Sequence, residues 1–186
     1  LSDKLQKALN EQITHEMYSA YLYLAMSAYF LSINLNGFAS WMRVQALEEG
    51  THAMKFFDFI NERSGQVGLL ALKAPEKEWK SPLAAFQDAY EHECLVSGRI
   101  NDLVNLALDE KDHASNNFLQ WFVGEQVEEE ASVDAVVAVQ AFHWFDPARA
   151  GAEAGALMTI VKSIAPCSVS LVTTFLIDDA FCPIAT

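Results

Sequence analysis

Glu48-Glu49-Gly50-Thr51-His52 and Glu125-Gln126-Val127-Glu128-Glu129 are one pattern used twice. Glu49 lies 33 residues after the Glu of His15-Glu16, and Gln126 lies 33 residues after the Glu of His92-Glu93. A shift of 77 therefore lays Glu16, Glu49 and His52 onto Glu93, Gln126 and Glu129. The pattern reads as a helical hairpin repeated, with ligand-type side chains at the same level in each copy.

Around these residues the apolar positions step by alternating 4 and 3, the inward seam of a bundle helix. The first segment runs Leu9, Ile13, Glu16, Ala20, Tyr23, Ser27, Phe30, and the second Phe38, Met42, Gln45, Glu49, His52, Phe56, Phe59. The third runs Phe86, Tyr90, Glu93, Ser97, Ile100, Val104, Ala107, and the fourth Ser115, Leu119, Phe122, Gln126, Glu129, Val133, Val136. Each seam places a carboxylate among apolar and small residues. An isolated buried charge costs several kcal/mol even after relaxation. Carboxylates with one histidine and no lysine or arginine among them call for a cation.

Two antiparallel helices bring residues to one level when the midpoint between them falls in the connection. For Glu16 and Glu49 it falls between Ser32 and Ile33, at the edge of Asn34-Leu35-Asn36-Gly37. For Glu93 and Gln126 it falls between Asp109 and Glu110, inside a polar run. Helices are expected from Ser2-Asp3 to about residue 31, over 38–63, from Ser81-Pro82, and over 114–145, stopping before Pro147. Residues 64–82, with Gly65, Gly68, Pro75 and Pro82, are long enough to run the length of the bundle and make the second and third helices parallel.

The expected fold is thus all-α: a four-helix bundle over residues 1–145 with a long crossover, followed by a C-terminal segment, 146–186. From Ser132 onward only seven of 55 residues are charged, against 30 of the preceding 131. Residues 156–164 are expected to form a short fifth helix, ended by Pro166. The uncharged run 163–177 is too short for a membrane span and is expected to bury itself against neighbouring subunits.

The chain has 186 residues and a net charge of −13. That charge repels nucleic acid and attracts cations. Cys94, Cys167 and Cys182 are odd in number and imply no disulfide framework. Cys94 matches Met17 under the shift and is expected to pack in the core. No basic region followed by an apolar stretch opens the chain, so a cytoplasmic setting is the expectation.

Glu16, Glu49 and His52 form the first expected ion position, because residues three apart share a helix face. Glu49 has a second oxygen for another ion, completed by Glu93 and Glu129 with Gln126 as neutral ligand or hydrogen-bond donor. Many carboxylates with one imidazole suit iron or manganese better than zinc. Two adjacent ferrous ions can deliver two electrons to dioxygen together. Tyr23, on the same seam, could donate an electron or a hydrogen bond, or simply pack. Glu48, Glu125 and Glu128, with Glu129, are candidates for a third ion on the inner rim, against the plainer reading of a solvated acidic face. Glu130 points away on helical spacing and is left out. His15 and His92 turn about 100° off the seam, His113 belongs to a turn, His143 lies beyond the site, and Trp121 reads as packing.

The strings Glu16-Met17-Tyr18-Ser19-Ala20-Tyr21-Leu22-Tyr23, Glu48-Glu49-Gly50-Thr51-His52-Ala53-Met54, Tyr90-Glu91-His92-Glu93 and Phe118-Leu119-Gln120-Trp121-Phe122-Val123-Gly124-Glu125-Gln126-Val127-Glu128-Glu129-Glu130 resemble the non-haem ferritins of bacteria and archaea over about residues 1–132. The resemblance implies a ferritin-like four-helix bundle and a homo-oligomeric hollow cage of about 24 subunits. It implies a ferroxidase centre in each subunit, oxidising ferrous iron with dioxygen or peroxide and storing it as ferric mineral. The family's first iron site maps to Glu16, Glu49 and His52, its second to Glu49, Glu93 and Glu129 with Gln126 alongside, and its third to Glu48, Glu125, Glu128 and Glu129. Tyr23 matches the family's site tyrosine. No haem is expected. Bacterioferritins carry a second Glu-x-x-His where this chain has Gln126 and Glu129, and the paired Cys-x-x-Cys motifs of rubrerythrins are absent. Residues 136–145 and 167–186 depart from the charged amphipathic pattern usual in the family. Two rival functions are a non-catalytic helical assembly protein with a vestigial site and a di-metal oxygenase. The oxygenase needs an apolar pocket beside the metals, for which Tyr18, Tyr23 and Trp121 leave little room.

Overall fold

The computed structural model describes residues 1–145, with side chains as far as Val136. It holds four helices, α1 (Asp3–Ser32), α2 (Asn36–Glu62), α3 (Pro82–Asp109) and α4 (His113–Phe145), and no strand among the described residues. The expected fifth helix and the whole segment 146–186 lie outside the described residues.

Helix starts follow the expected capping chemistry. Ser2 Oγ accepts the Leu5 N–H at 3.1 Å and Ser81 Oγ accepts that of Ala84 at 3.1 Å, with Pro82 in the first turn. Asp112 serves α4 in the same way, its Oδ1 accepting the Ser115 N–H at 3.0 Å. Three helices end alike, on a left-handed residue: Asn34 (φ 61°), Ser64 (φ 55°) and Lys111 (φ 57°). The next N–H then reaches back, from Leu35 to Phe30 O at 2.9 Å, from Gly65 to Ile60 O at 2.8 Å and from Asp112 to Ala107 O at 2.8 Å. The break expected across Asn34 to Gly37 is narrower than it reads, since Gly37 is already inside α2 and buried.

Helix direction follows from the core. One apolar cluster joins Leu5 and Leu9 of α1 to Phe56 and Ile60 of α2, Leu103 and Ala107 of α3, and Leu119 and Phe122 of α4. A second joins Met26 and Phe30 to Ala39 and Met42, Ala85 and Phe86, and Val133 and Val136. So α1 and α4 run one way, α2 and α3 the other, as a long crossover requires. Residues 63–81 make that crossover along α1. Gln66 N–H donates to Gln6 Oε1 at 2.8 Å, Gly68 N–H to Asn10 Oδ1 at 2.7 Å, and at the far end Trp79 lies 5.4 Å from Tyr29. A side chain at Gly65 would meet Gln6 Oε1 at 2.8 Å and Ile60 O at 3.0 Å, so only glycine fits where the crossover leaves α2. Arg63 clamps the same end with paired bonds to Asp112 at 2.9 and 3.0 Å, holding its carboxyl down at about 2.

The seams of α2 and α4 hold throughout, apart from a half-buried Phe38. On α3, Tyr90, Ser97 and Val104 are only half-buried, while Ala89, His92, Val96 and Leu103 are buried. The face turned toward α1 is therefore as dry as the seam. Cys94 is exposed, which corrects its expected place in the core: on α3 that position turns outward.

Lys111 pays a conformational penalty at φ 57° with its side chain in solvent. Lys111→Gly should raise stability by about 0.5–1 kcal/mol, the left-handed strain less the extra freedom of the unfolded glycine chain. Denaturant midpoints at one protein concentration would read this; a midpoint unchanged or lowered would show that strain does not govern the turn.

Candidate metal centre

Between the two apolar clusters lies a layer of buried polar side chains: Glu16 and Ser19 from α1, Gln45, Glu49 and His52 from α2, His92 and Glu93 from α3, Gln126 and Glu129 from α4. Glu16, Glu49 and Glu93 are at most 1% exposed, His52 2% and Glu129 5%. The hairpins put them at one level because both connections sit at the midpoints of the pairs.

The ligand atoms of Glu16, Glu49 and His52 all lie within 4.8 Å of one another. His52 Nδ1 stands 3.6 Å from Glu49 Oε2. Glu16 Oε2 and Glu49 Oε2 are buried and accept no hydrogen bond. Two orphaned acceptor oxygens beside an imidazole nitrogen could hold a divalent cation. The other oxygens are held: Gln12 Nε2 donates to Glu16 Oε1 at 2.8 Å and Gln45 Nε2 to Glu129 Oε2 at 2.9 Å. Tyr23 O–H donates to Glu93 Oε1, and Gln126 Nε2 to Glu93 Oε2 at 3.3 Å. Edge-on contacts from Trp121 at 5.5 Å and Phe122 at 6.0 Å fix the His52 ring.

Of the residues expected at a second ion position, Glu93 and Glu129 face Glu49 through their charges but do not close into a group as tight as the first. On the rim, Glu48 and Glu125 come together with His52 within 4.8 Å, and His52 Nε2 lies 3.9 Å from Glu125 Oε1. Glu128 is exposed and lies outside that group. Glu130 does turn off the seam, yet it is half-buried and accepts the Ser97 O–H. His92, also off the seam, is buried against Tyr18, with Nε2 2.8 Å from Ser19 Oγ. Burial and nearby Arg99 push it down to about 4, so it stands neutral. Gln12, Ser19 and Ser97 were missed as partners of the layer. Their signal was a polar residue one turn from a seam carboxylate. A groove of about 300 Å³ lies outside the layer, lined by Lys55, Asp58, Glu62 and four aromatic rings, with none of the buried carboxylates in its wall.

Among the described residues no lysine or arginine pairs with these four carboxylates. Burial first, and then mutual repulsion, raises Glu16 and Glu49 well above the ordinary glutamate range, raises Glu93, and lifts Glu129 to about 9. The ion-free layer thus keeps protons that an incoming cation must displace. A glutamate raised from 4.5 to about 9 in the folded state holds a proton that the unfolded chain has released. Stability is then complete below about 4.5 and falls as pH rises toward 9. The ion-free protein should accordingly lose melting temperature between pH 5 and about 9, and Glu129→Gln should flatten that slope. Thermal scans of both proteins across this range would check it, and equal slopes would show that Glu129 is not a source of the effect.

The ferritin family, described by its ferritin-like domain, matches residues 6–140. A bacterial non-heme ferritin of Bacteroides fragilis is 44% identical over 137 residues, covering 74% of this chain and 86% of that protein. One from Campylobacter jejuni is 44% identical over 137 residues, covering 74% and 82%. Among solved structures, an open pore ferritin from the archaeon Archaeoglobus fulgidus is 56% identical with a TM-score of 0.78, covering 79% of this chain and 91% of that one. A ferritin of Chlorobium tepidum is 40% identical with a TM-score of 0.78, covering 81% and 92%. With four helices in ferritin order and a carboxylate–histidine layer at their middle, the chain belongs to the ferritin family.

Proposed function

We propose that this ferritin subunit is a ferroxidase, oxidising ferrous iron at its own four-helix centre and passing ferric iron into the store of a homo-oligomeric cage. The observation that carries the reading is the pair of buried, unpartnered oxygens, Glu16 Oε2 and Glu49 Oε2, beside His52. The chain spends stability to bury them, and ferrous iron is the cation that matches oxygen-rich ligands with one imidazole. A first ion rests on Glu16, Glu49 and His52. A second rests on Glu49, Glu93 and Glu129, with Gln126 beside it. Each ferrous ion gives up one electron, and one dioxygen or peroxide accepts the pair. Tyr23 and Gln126 hold the two oxygens of Glu93 and so set the second position.

A third ion rests on Glu48 and Glu125 at the rim, with Glu128 and Glu129 flanking and the His52 ring between rim and centre. An ion there meets acids already half in water. The acidic balance of the chain, −13, draws cations toward the subunit. The likeness to ferritins supports a homo-oligomeric assembly, for which the proposal is a cage of about 24 copies in the cytoplasm. No helix among the described residues is long and apolar enough to cross a membrane.

Glu49→Ala removes the one ligand shared by both ions. Rapid iron oxidation should fall by more than the roughly 10–100-fold that loss of an outer partner costs. Stopped-flow absorbance would follow it, and oxidation at the wild-type rate would overturn the assignment. Glu125→Ala should keep the two-ion burst and change the slower turnover that follows; loss of the burst would place Glu125 in the centre itself.

A further inference from the structure

Ser97 lies one turn beyond Glu93 on α3, half-buried where α3 packs on α4. Gln126 Nε2 sits within reach of three acceptors: Glu93 Oε2 at 3.3 Å, Glu93 carbonyl O at 3.4 Å and Ser97 Oγ at 3.4 Å. Ser97 Oγ in turn donates to Glu130 Oε1. A hydroxyl has one proton, and here Glu130 takes it. Ser97 is left facing Gln126 with lone pairs alone, which only a donor satisfies. The amide must therefore present nitrogen, not oxygen, to Ser97 and Glu93. Turned over, its oxygen would stand against the Glu93 oxygens, and Ser97 could serve it only by giving up Glu130.

We infer that Glu130 is a positioning residue for the second ion, acting through Ser97 and Gln126 on the Glu93 carboxylate. This rests on the two-ion reading above. Glu93 is gripped on both oxygens, by Tyr23 from α1 and by Gln126 from α4. The first grip is direct. The second depends on the polarity of an amide that is symmetric in shape, and that polarity is set at the surface of the bundle by a carboxylate outside the seam. Without Glu130 the Ser97 proton is free to turn inward, the amide loses its preferred orientation, and Glu93 loses the partner that holds it in place for an ion. Glu16, Glu49 and His52 make no hydrogen bond in this chain, so the first ion feels it only through the shared Glu49.

Calorimetric titration of the metal-free assembly with cobalt(II) under argon separates the two ions without oxidation. Glu130→Ala and Ser97→Ala should each weaken the second ion about tenfold, as loss of an outer partner does, and leave the first within about twofold. Ser97→Thr, which keeps the hydroxyl, should bind both as the wild type does. Unchanged second-ion affinity in both alanine variants would overturn the inference. So would equal weakening of both ions with no recovery in Ser97→Thr, which marks a packing defect. A wild type that takes up only the first ion overturns this inference and leaves the first position standing; one that takes up none overturns the two-ion reading beneath it.

Discussion

Carboxylates from four helices share one dry layer, and no basic side chain of the described residues pairs with them. Each would cost several kcal/mol if left charged and alone. Protons relieve the cost in the ion-free state, and a cation relieves it when bound. The rest of the molecule is arranged to make the layer tolerable: an apolar cluster closes it above and another below, with stacked Phe56–Phe122 and Phe59–Phe118 rings on one side and the Phe30, Phe38, Phe86 and Trp41 group on the other. Burial of such rings, about 1.5–3 kcal/mol each, offsets what the layer loses.

The two halves of the layer are not equivalent, although the hairpins repeat. In the first half no neighbouring donor reaches Glu16 Oε2 or Glu49 Oε2, which have only each other to share a proton with, and His52 is fixed by aromatic edges. In the second, Glu93 and Glu129 are already hydrogen-bonded, to Tyr23, Gln126 and Gln45. Replacing a glutamate–histidine pair by Gln126 and Glu129 turns one copy from an open ligand set into a partly satisfied one. Under the function proposed above, an ion at the first position would displace protons, and one at the second would also share oxygens with existing donors. On the proposed two-ion reading, that asymmetry makes the two positions unequal in grip.

Periodicity and spacing carried most of this architecture. The 33-residue intervals, the 4-and-3 seams and the long Gly- and Pro-marked crossover determined four helices, their directions and the level of Glu16, Glu49, His52, Glu93, Gln126 and Glu129, because helix geometry turns spacing directly into position. Capping by Ser2 and Ser81 was equally legible, being local chemistry. Tertiary packing alone decided what lies between helices. The second buried face of α3, the outward turn of Cys94 and the exposure of Glu128 depend on how each helix is rotated against its neighbours, which a period does not specify. The hydrogen bonds joining Gln12, Gln45, Ser97 and Glu130 to the carboxylates run within and across helices, up to 84 residues apart in sequence for Gln45 and Glu129. Their existence depends on side-chain reach and proton direction, and those are settled only when the four helices are packed.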